Sequence, residues 1–577
     1  MRRLPDLSLS AALFLQQRAI APLAARLARR PRAAAGIAVG FLAVFFFGTG
    51  LLGLDFGRHW DEPYQISGLS DCVGRLTLFP QRFIYNGLYF GLGVPVLLAL
   101  TFRPFGKALG ELFGAATPIG DPAAVPAVRA FQQSAESALQ SRAYLLGTRG
   151  LFLAISTLTV AFVYLTVRRL YPRRYLPAVA AAAFVAGCLE LQYHARFIAV
   201  DAPMAAFAAL EVLLLSQAAA APSPGRATRW YCGAAVAAGL ILACKATGAF
   251  GLVPIAAAPW LMSDVLVGGA RRRLVLTLLG LLILFATAFV LSPAVFLDPF
   301  RYVAQLRVTQ GDYNLRAIEH PHYVTGFFEH LRRLLVWFLA VVPSFLVLPA
   351  LCFSGLALVG MVELLRRHRR LTLTWLTFVA AVILGLAPNR LLIVRNDLML
   401  IPFMAVAFGA GVMAVGDRLR RPDLRYALAL LVAGTFVANG AWLFAAGLSV
   451  RTTTEATINA AVQRDLERHR RPIRVSPALY DLMRLPLDRY YRCQPAALDR
   501  AGPRSVLLKY SEYDDPKWRA NRFHFHKALY SSWEVNYDWN SPAWIGKFYN
   551  QRVARITMDD ARAIGLDMRP YWDCTPR

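Results

Sequence analysis

Two neighbouring carboxylates follow the first long apolar segment. Asp61 and Glu62 lie in the run Asp55-Phe56-Gly57-Arg58-His59-Trp60-Asp61-Glu62-Pro63-Tyr64-Gln65. A carboxylate in this position can take the proton from a hydroxyl group while the hydroxyl oxygen attacks a carbon atom. The pair is therefore a candidate for general-base chemistry. The alternative interpretation is an acidic pair that is only solvated at a membrane surface.

A third carboxylate opens a later apolar segment. Asp201 is followed by Ala202 and Pro203, and Arg196 precedes it by five positions. An ionisable side chain at membrane depth is a candidate for function. An aspartate before Ala-Pro is also typical of a helix N-cap, and the two interpretations are compatible.

Three positively charged residues lie beside apolar segments, and a bound anion would account for a charge in such a position. Lys245 lies between two apolar segments with almost no loop. It needs an anionic partner such as a lipid phosphate, unless its side chain extends to the membrane surface. Arg390 and Arg395 both stand at the start of a late apolar segment. An anionic ligand would account for both, and a local pair with Asp397 is the alternative for Arg395.

The signals for metals and nucleotides are weak. The pairs His320/His322 and His524/His526 could each bind a metal, but two ligands do not make a site. The sequence contains no phosphate-binding Gly-x-x-x-x-Gly-Lys-Ser/Thr loop, no Asp-x-Asp pair and no His-Glu-x-x-His motif. It therefore predicts no cofactor and no metal site, with a divalent cation left open.

The elements that position these residues are membrane helices. Of the 577 residues, 57% are hydrophobic and only 17% are charged, whereas soluble domains carry about 25% charge. The apolar residues come in blocks, such as 36–54, 274–291 and 426–447, that approach the roughly 20 residues a spanning helix needs. The composition predicts an all-α polytopic membrane bundle.

The net charge is +28, and the positions of the positive charges indicate the membrane topology. Arginines crowd every second gap between apolar blocks, as in 29–32, 168–174, 271–273, 366–370 and 418–421. This is the positive-inside pattern, which places those loops in the cytoplasm. Because no basic stripe interleaves with aromatic residues on a soluble face, nucleic-acid binding is not expected.

We expect about eleven spans, with a cytoplasmic N-terminus at residues 1–33. The transmembrane module covers 34–447 and includes an outer loop, 55–148, in which 87–101 is predicted to be an interfacial helix. The predicted spans lie near 34–54, 149–167, 175–189, 203–220, 230–245, 247–263, 274–292, 334–360, 371–387, 398–415 and 425–447.

Residues 448–577 are predicted to form a small α/β or mixed soluble domain on the outer side. Ser505 to Tyr510 is strand-like. Cys493 and Cys574 both fall in this domain, and a disulfide between them is one possibility in an oxidising compartment. An alanine- and arginine-rich composition is typical of GC-rich bacterial genomes, so we expect a bacterial inner membrane with this domain in the periplasm.

The order of these features resembles the GT-C superfamily of membrane glycosyltransferases, within the protein O-mannosyltransferase and aminoarabinose-transferase-like branch. The resemblance covers about residues 34–415. The features that carry it are the acidic pair after the first span, Arg149 at the second, Ala195-Arg196-Phe197 with Asp201, Lys245-Ala246-Thr247-Gly248, Ser292-Pro293 with Leu297-Asp298-Pro299, and Arg390 through Pro402.

The resemblance implies a glycosyltransferase that takes its sugar from a polyprenyl-phosphate-linked lipid. It implies transfer to an acceptor hydroxyl at the outer membrane face, with inversion; the acceptor is a glycan, a lipid or a protein. The general base of such enzymes falls on Asp61, with Glu62 beside it, and the second acid on Asp201. The candidates for the lipid phosphate are Lys245, Arg390, Arg395 and Arg196, and those for contact with acceptor or sugar are His59, Trp60, Tyr64 and His194.

Two alternatives remain open. A lipid or glycan transporter, or flippase, would share the basic cavity and the many spans, but it would tolerate the loss of Asp61. A glycan polymerase or ligase would use similar chemistry with a different donor.

Overall fold

The structure is a computed structural model. It describes residues 30–52, 54–55, 62–77, 86–114, 125–262, 266, 269–316, 324–452, 464, 468, 472–475, 491–496, 505–509, 528–535, 548–556 and 571–576. The chain folds into two compact units. Of the described residues, those within Met1–Gly50 and Asp61–Leu443 belong to the first unit, and those from Phe444 onward, together with 51–55, belong to the second.

The described part of the first unit is helical. Its helices as far as Cys244 are α1 Pro31–Leu52, α2 Glu62–Gly74, α3 Gly87–Gly91, α4 Val94–Leu100, α5 Phe102–Gly114, α6 Pro126–Leu139, α7 Arg142–Leu170, α8 Leu176–Ala186, α9 Leu189–His194, α10 Asp201–Ala219 and α11 Pro224–Cys244. The remaining ones are α12 Leu252–Leu261, α13 Ala270–Leu291, α14 Pro293–Leu297, α15 Pro299–Arg316, α16 Phe327–Ala340, α17 Val347–Arg367, α18 Arg369–Leu386, α19 Ile401–Arg418 and α20 Pro422–Thr452. Two 3-10 helices, Ala246–Gly251 and Val394–Leu400, precede α12 and α19.

Nine helices among the described residues are long and apolar enough to cross a membrane. They are α1, α7, α10, α11, α13, α17, α18, α20, and α19 together with its preceding 3-10 helix. The prediction of an all-α membrane bundle is confirmed. The predicted spans at 175–189 and 247–263 correspond to shorter helices, Leu176–Ala186 and Ala246–Leu261.

The predicted span 334–360 is wrong in its bounds. Two helices, α16 and α17, replace it, and the chain between Ala340 and Val347 is not helical. Pro343 lies in this break, and proline disfavours the helical conformation in the residue before it and removes a backbone donor. A hydropathy pattern cannot show such a break because the residues on both sides are equally apolar.

Asn439 of α20 supplies the hydrogen bonds that this break leaves open. Its Nδ2 donates to the carbonyl oxygen of Pro343 at 2.9 Å and to that of Gly187 at 3.0 Å. Its Oδ1 accepts from the Ser344 hydroxyl at 2.8 Å. Because no water is available inside a bilayer, broken helices persist there only where the freed backbone groups find partners of this kind.

Helices α17 and α19 pack with their backbones in contact. A Cβ atom added to Gly360 would overlap the carbonyl oxygen of Ala407, and one added to Gly411 would overlap that of Leu356. Small residues allow this approach, which is common between membrane helices.

The second unit contains a six-stranded mixed sheet. Its strands are β1 Ile473–Val475, β2 Tyr491–Ala496, β3 Ser505–Lys509, β4 Ala528–Val535, β5 Phe548–Ile556 and β6 Tyr571–Pro576, in the order β2-β6-β1-β3-β5-β4. Among these strands, β1 and β3 pair in parallel, and the other neighbours are antiparallel. Cys493 and Cys574 face each other across β2 and β6 and form a disulfide. The prediction of a small mixed domain containing a strand near 505–510 is confirmed.

Candidate active site

The first group of the candidate site forms where α11 ends. Lys245 follows α11 in an extended conformation, and the chain then enters the 3-10 helix Ala246–Gly251. The tight turn needs Gly248, since a Cβ atom there would overlap the carbonyl oxygen of Ile241. The turn directs Lys245 Nζ to Asp201 Oδ1 at 3.1 Å and to Asn396 Oδ1 at 2.6 Å. Lys245 is thus bound inside the protein and largely buried.

Asp201 joins this lysine to the 3-10 helix Val394–Leu400. It is the first residue of α10, and Val200 is the N-cap, so the N-cap interpretation of Asp201 is wrong. Its second oxygen, Oδ2, lies 3.8 Å from Arg395 Nε. Both Asp201 and Arg395 are nearly inaccessible to solvent. We call Lys245, Asp201, Arg395 and Asn396 the Lys245 cluster.

Asp397 adds a second buried carboxylate in the same 3-10 helix. Its side chain is 1% exposed, and its Oδ1 has no hydrogen-bond partner among the described residues. Two cations, Lys245 and Arg395, thus accompany two acids, Asp201 and Asp397. A buried carboxyl oxygen without a hydrogen-bond partner is costly, so an additional donor, such as a ligand hydroxyl, would be accommodated at Asp397 Oδ1.

A second buried group fixes the start of α2. Arg149 Nη2 lies 2.6 Å from Glu62 Oε2, and Arg149 Nε donates to Glu62 Oε1 at 2.7 Å. Both side chains are fully buried. The backbone N–H of Ile198 also donates to Glu62 Oε1 at 3.2 Å. The carboxylate of Glu62 therefore holds α2, α7 and the segment before Asp201 together.

The two groups are close along the chain. Ile198 precedes Asp201 by three residues, which span at most about 11 Å when fully extended. Arg196 lies in the same segment, is 3% exposed, and its Nε and Nη2 have no hydrogen-bond partner among the described residues. A buried guanidinium with unused donors is suited to bind an anion.

Asn86, which directly precedes α3, contacts the end of α11. The backbone N–H of Asn86 donates to the Cys244 carbonyl at 3.1 Å, and its Nδ2 donates to the Leu242 carbonyl at 2.6 Å. Tyr302 in turn donates its hydroxyl to Asn86 Oδ1 at 2.8 Å. Burial raises the pKa of Tyr302 to about 12, so Tyr302 remains a neutral donor at physiological pH. Asn86 thereby caps the helix end that presents Lys245.

The remaining predicted residues occupy different surroundings. His194 is enclosed in the protein, with its Nε2 3.9 Å from Glu190 Oε2 and its ring against Tyr193 and Phe197. Tyr64 is exposed on α2.

Arg390 is exposed, and its side chain makes no hydrogen bond or ion pair with any described residue. Its carbonyl oxygen accepts from the backbone N–H of Val324 at 2.9 Å. Arg390 is therefore not joined to the Lys245 cluster by a contact.

Several predicted residues lie outside the described part of the chain. These are Asp61, His59 and Trp60, and both histidine pairs considered for metal binding. Among the residues that are described, no three or more His, Cys, Asp or Glu side chains are placed to hold a metal ion.

Sequence reasoning misses two contacts of this site. Asn86 carries no signal, because a single asparagine in a loop is common. The pairing of Glu62 with Arg149 is not predicted either, although both residues contribute to the family resemblance. Glu62 and Arg149 are both charged residues near the end of an apolar segment, and this is the signal that could have paired them.

Comparison with known proteins supports the resemblance found in the sequence. Residues 139–295 match the family model described as dolichyl-phosphate-mannose-protein mannosyltransferase. The matched segment contains Arg149, Arg196, Asp201 and Lys245. The match confirms the predicted resemblance to the protein O-mannosyltransferase branch of membrane glycosyltransferases and supports the prediction of a glycosyltransferase. No curated protein matches the sequence.

Solved structures of membrane glycosyltransferases show a general likeness to this chain. ArnT from Cupriavidus metallidurans in the apo state is 13% identical, with a TM-score of 0.49 over 91% of this chain and 98% of that protein. The Archaeoglobus fulgidus oligosaccharyltransferase is 14% identical, with a TM-score of 0.41 over 71% and 56%. The S. cerevisiae Pmt1-Pmt2 complex bound to the sugar donor is 19% identical, with a TM-score of 0.32 over 46% and 34%.

Proposed function

We propose that this chain transfers a sugar from a polyprenyl-phosphate-linked donor to an acceptor hydroxyl at the outer face of a bacterial inner membrane. The observation that carries the proposal is the convergence of Lys245 and Arg395 on Asp201 at the end of α11. Fixed cations in a site of low polarity stabilise a departing phosphate more strongly than they would in water.

Arg196 completes the proposed phosphate site. Its buried donors have no acceptors among the described residues, and leaving a buried donor unpaired costs about 1–3 kcal/mol. Phosphate oxygens would accept from this guanidinium in the geometry that arginine favours. Arg390, exposed on the neighbouring segment, would then guide the anionic headgroup towards the site.

Asp61 is the proposed general base. It takes the proton of the acceptor hydroxyl while the hydroxyl oxygen forms a bond to the anomeric carbon. The bond from that carbon to the phosphate oxygen breaks on the opposite side, and polyprenyl phosphate leaves with the electron pair. The sugar is transferred with inversion. His59, Trp60 and Tyr64, which neighbour Asp61 in sequence, are the proposed contacts for sugar and acceptor, together with His194.

Glu62 and Asp201 are proposed to act through their contacts. Glu62 accepts hydrogen bonds from Arg149 and from the Ile198 N–H, so it positions the start of α2. Asp201 binds Lys245 and lies beside Arg395. It keeps both cations in place for the phosphate and remains the candidate second acid.

The first test uses cells that carry Asp61→Asn in place of the natural protein. Mass spectrometry of membrane lipids and surface glycans is expected to show accumulation of one polyprenyl-phosphate sugar and the loss of that sugar from one glycan. We expect a turnover at least 100-fold lower, because a positioned general base contributes about 10²–10⁴-fold. Asp71→Asn is the matched control, since Asp71 is also an acid of the outer loop and forms a surface pair with Arg75. Lipids and glycans of Asp61→Asn that equal those of the control would refute the general base and favour the transporter.

The phosphate site is tested separately with Lys245→Met. This variant is expected to raise the KM for the lipid donor and to lower kcat, since the lysine acts on ground state and leaving group alike. Lys107→Met is the control, because Lys107 is an exposed lysine of α5. A KM and kcat of Lys245→Met equal to those of the control would remove Lys245 from the phosphate site.

A further inference from the structure

A cavity of about 1000 Å³ lies within the first unit, away from the candidate active site. Helices α1, α8, α19 and α20 line it. Its walls are mainly apolar, and alanines on α8 and α20, including Ala180, Ala429 and Ala433, leave the space unfilled. None of its lining residues belongs to the candidate active site.

One end of the cavity is charged. Arg173, Arg174 and Arg425 line it together with Asp417. Three arginines against one aspartate leave a net charge of +2. Arg174 pairs with Asp417 at 3.0 Å, and Arg425 donates from Nε to the Leu419 carbonyl at 2.8 Å. All four side chains are exposed, so Arg173 and Arg425 can both reach an anionic group at the mouth.

The other end lies where α1 meets α20. Phe436 of α20 lines the cavity and packs edge-on against Phe45 of α1, with ring centroids 5.0 Å apart. Beyond that contact, Gly440 lets the helices approach closely, since an added Cβ atom would meet the Phe45 ring at 2.9 Å. Towards the arginines the helices are separated by the cavity.

The depth of the cavity matches one leaflet of a bilayer. Phe436 follows Arg425 by eleven positions on α20, which is about 16 Å at 1.5 Å per residue. The hydrocarbon core of a membrane is about 30 Å thick, so this is about half of it. The charged end lies among the arginine-rich segments 168–174 and 418–425, which the positive-inside pattern assigns to the cytoplasm.

We propose that this cavity binds an anionic glycerophospholipid from the leaflet on the arginine-rich side, with the phosphate at Arg173 and Arg425 and an acyl chain reaching Phe436. The apolar walls suit an acyl chain, the depth suits one leaflet, and the net positive mouth selects an anionic headgroup. The site is separate from the proposed donor site, which lies at the end of α11 with Lys245.

The test uses the full chain, purified in a neutral detergent and stripped of lipid. Thermal unfolding is followed while phosphatidylglycerol or phosphatidylcholine with the same acyl chains is added. A lipid that binds only the folded protein raises the unfolding midpoint in a saturable way. We expect a saturable rise with phosphatidylglycerol and a much smaller one with phosphatidylcholine.

Two sets of variants make the test specific. Arg173→Gln with Arg425→Gln should weaken phosphatidylglycerol binding about 25-fold, since each arginine near an anionic headgroup contributes about fivefold. The control, Arg420→Gln with Arg421→Gln, removes two exposed charges that do not line the cavity. It should keep most of the affinity, because salt screens such charges.

The second set changes the volume of the cavity. Ala429→Phe should abolish the phosphatidylglycerol effect by filling the space, whereas Ala427→Phe, at a position outside the lining, should keep it. Equal midpoint shifts with both lipids would overturn the proposal. So would a double arginine variant that binds phosphatidylglycerol as tightly as its control.

Discussion

The buried pair of Glu62 and Arg149 offers the sharpest quantitative prediction. Arg149→Met removes two charge-assisted hydrogen bonds, of 2.6 and 2.7 Å, and leaves a carboxylate in a site with no access to solvent. Such bonds contribute about 1.5–3 kcal/mol each. Breaking a buried pair by removing one partner costs about 3–5 kcal/mol. We therefore expect Arg149→Met to lower the free energy of unfolding by about 3–5 kcal/mol, and Glu62→Leu by a similar amount.

The double variant Arg149→Met with Glu62→Leu should lose less free energy of unfolding than the two single variants lose together. Replacing a buried ion pair by apolar side chains is often close to neutral, but the Ile198 N–H would lose its acceptor, at a cost of about 1–3 kcal/mol. The double variant should thus lose about 1–3 kcal/mol, which gives a coupling energy of at least about 3 kcal/mol. Equilibrium unfolding in mixed micelles titrated with sodium dodecyl sulfate measures all four proteins.

The exposed pair of Arg75 and Asp71, near Glu62 in the chain, provides the matched control. Its two N–O distances are both 2.8 Å, close to those of the buried pair, but the side chains are 44% and 24% exposed. Surface pairs contribute about 0–1 kcal/mol, so a coupling below about 1 kcal/mol is expected there. Additive effects of the Glu62 and Arg149 substitutions, or a coupling no larger than that of the control, would refute the interpretation of Glu62 as a buried anchor.

Three further predictions concern other parts of the chain. Asn86→Ala should lower the free energy of unfolding by about 1–3 kcal/mol, because it leaves the Leu242 carbonyl without its amide donor; the same titration measures the loss. Reduction of the Cys493–Cys574 disulfide, which joins residues 81 positions apart, should destabilise the second unit by about 4–5 kcal/mol. Limited proteolysis of the reduced protein should then cleave the residues after Phe444 before it cleaves the membrane helices. Thr325 donates to Glu329 from its hydroxyl and its backbone N–H, and these bonds, with Arg333, lower the pKa of Glu329 to about 2. The stability that Glu329 adds is therefore complete above its unfolded pKa of about 4.3 and is lost as pH falls through about 2, so the unfolding midpoints of wild type and Glu329→Gln should converge between those values.

The sequence predicts the charged residues of the site better than their contacts. Lys245, Asp201 and Arg395 each stand at the boundary of an apolar segment, and the alternation of arginine-rich loops assigns all three to the same membrane side. Three charges on one side of a bundle are candidate ligand groups on general grounds, and the structure brings them together. The spacing of residues 201, 245 and 395 carries no information on which pairs touch, because the contacts depend on how the helices pack.

Glu62 shows where the sequence is insufficient. Its position beside Asp61 groups it with the candidate catalytic residues, but its carboxylate accepts hydrogen bonds from Arg149, a residue 87 positions away, and from the Ile198 N–H. The sequence does not predict helix breaks either, since the apolar run through Pro343 is continuous. The structure shows the break, where Asn439 donates a hydrogen bond to the Pro343 carbonyl. Hydropathy indicates whether a segment lies in water or in the membrane. It does not predict hydrogen bonds between residues that are far apart in the chain.

The contacts of Asn86 and Glu62 explain how the Lys245 cluster, at the end of α11, is held in place. The last turn of α11 has carbonyl groups that no residue of the helix can satisfy, and Asn86 binds two of them directly before Lys245. Glu62 binds the segment that leads into Asp201. Asn86 and Glu62 therefore each hold one side of the ion pair between Lys245 and Asp201. For the proposed transfer, charges held in this way would need little reorganisation as charge develops on the leaving phosphate, which is the condition under which fixed charges are most effective.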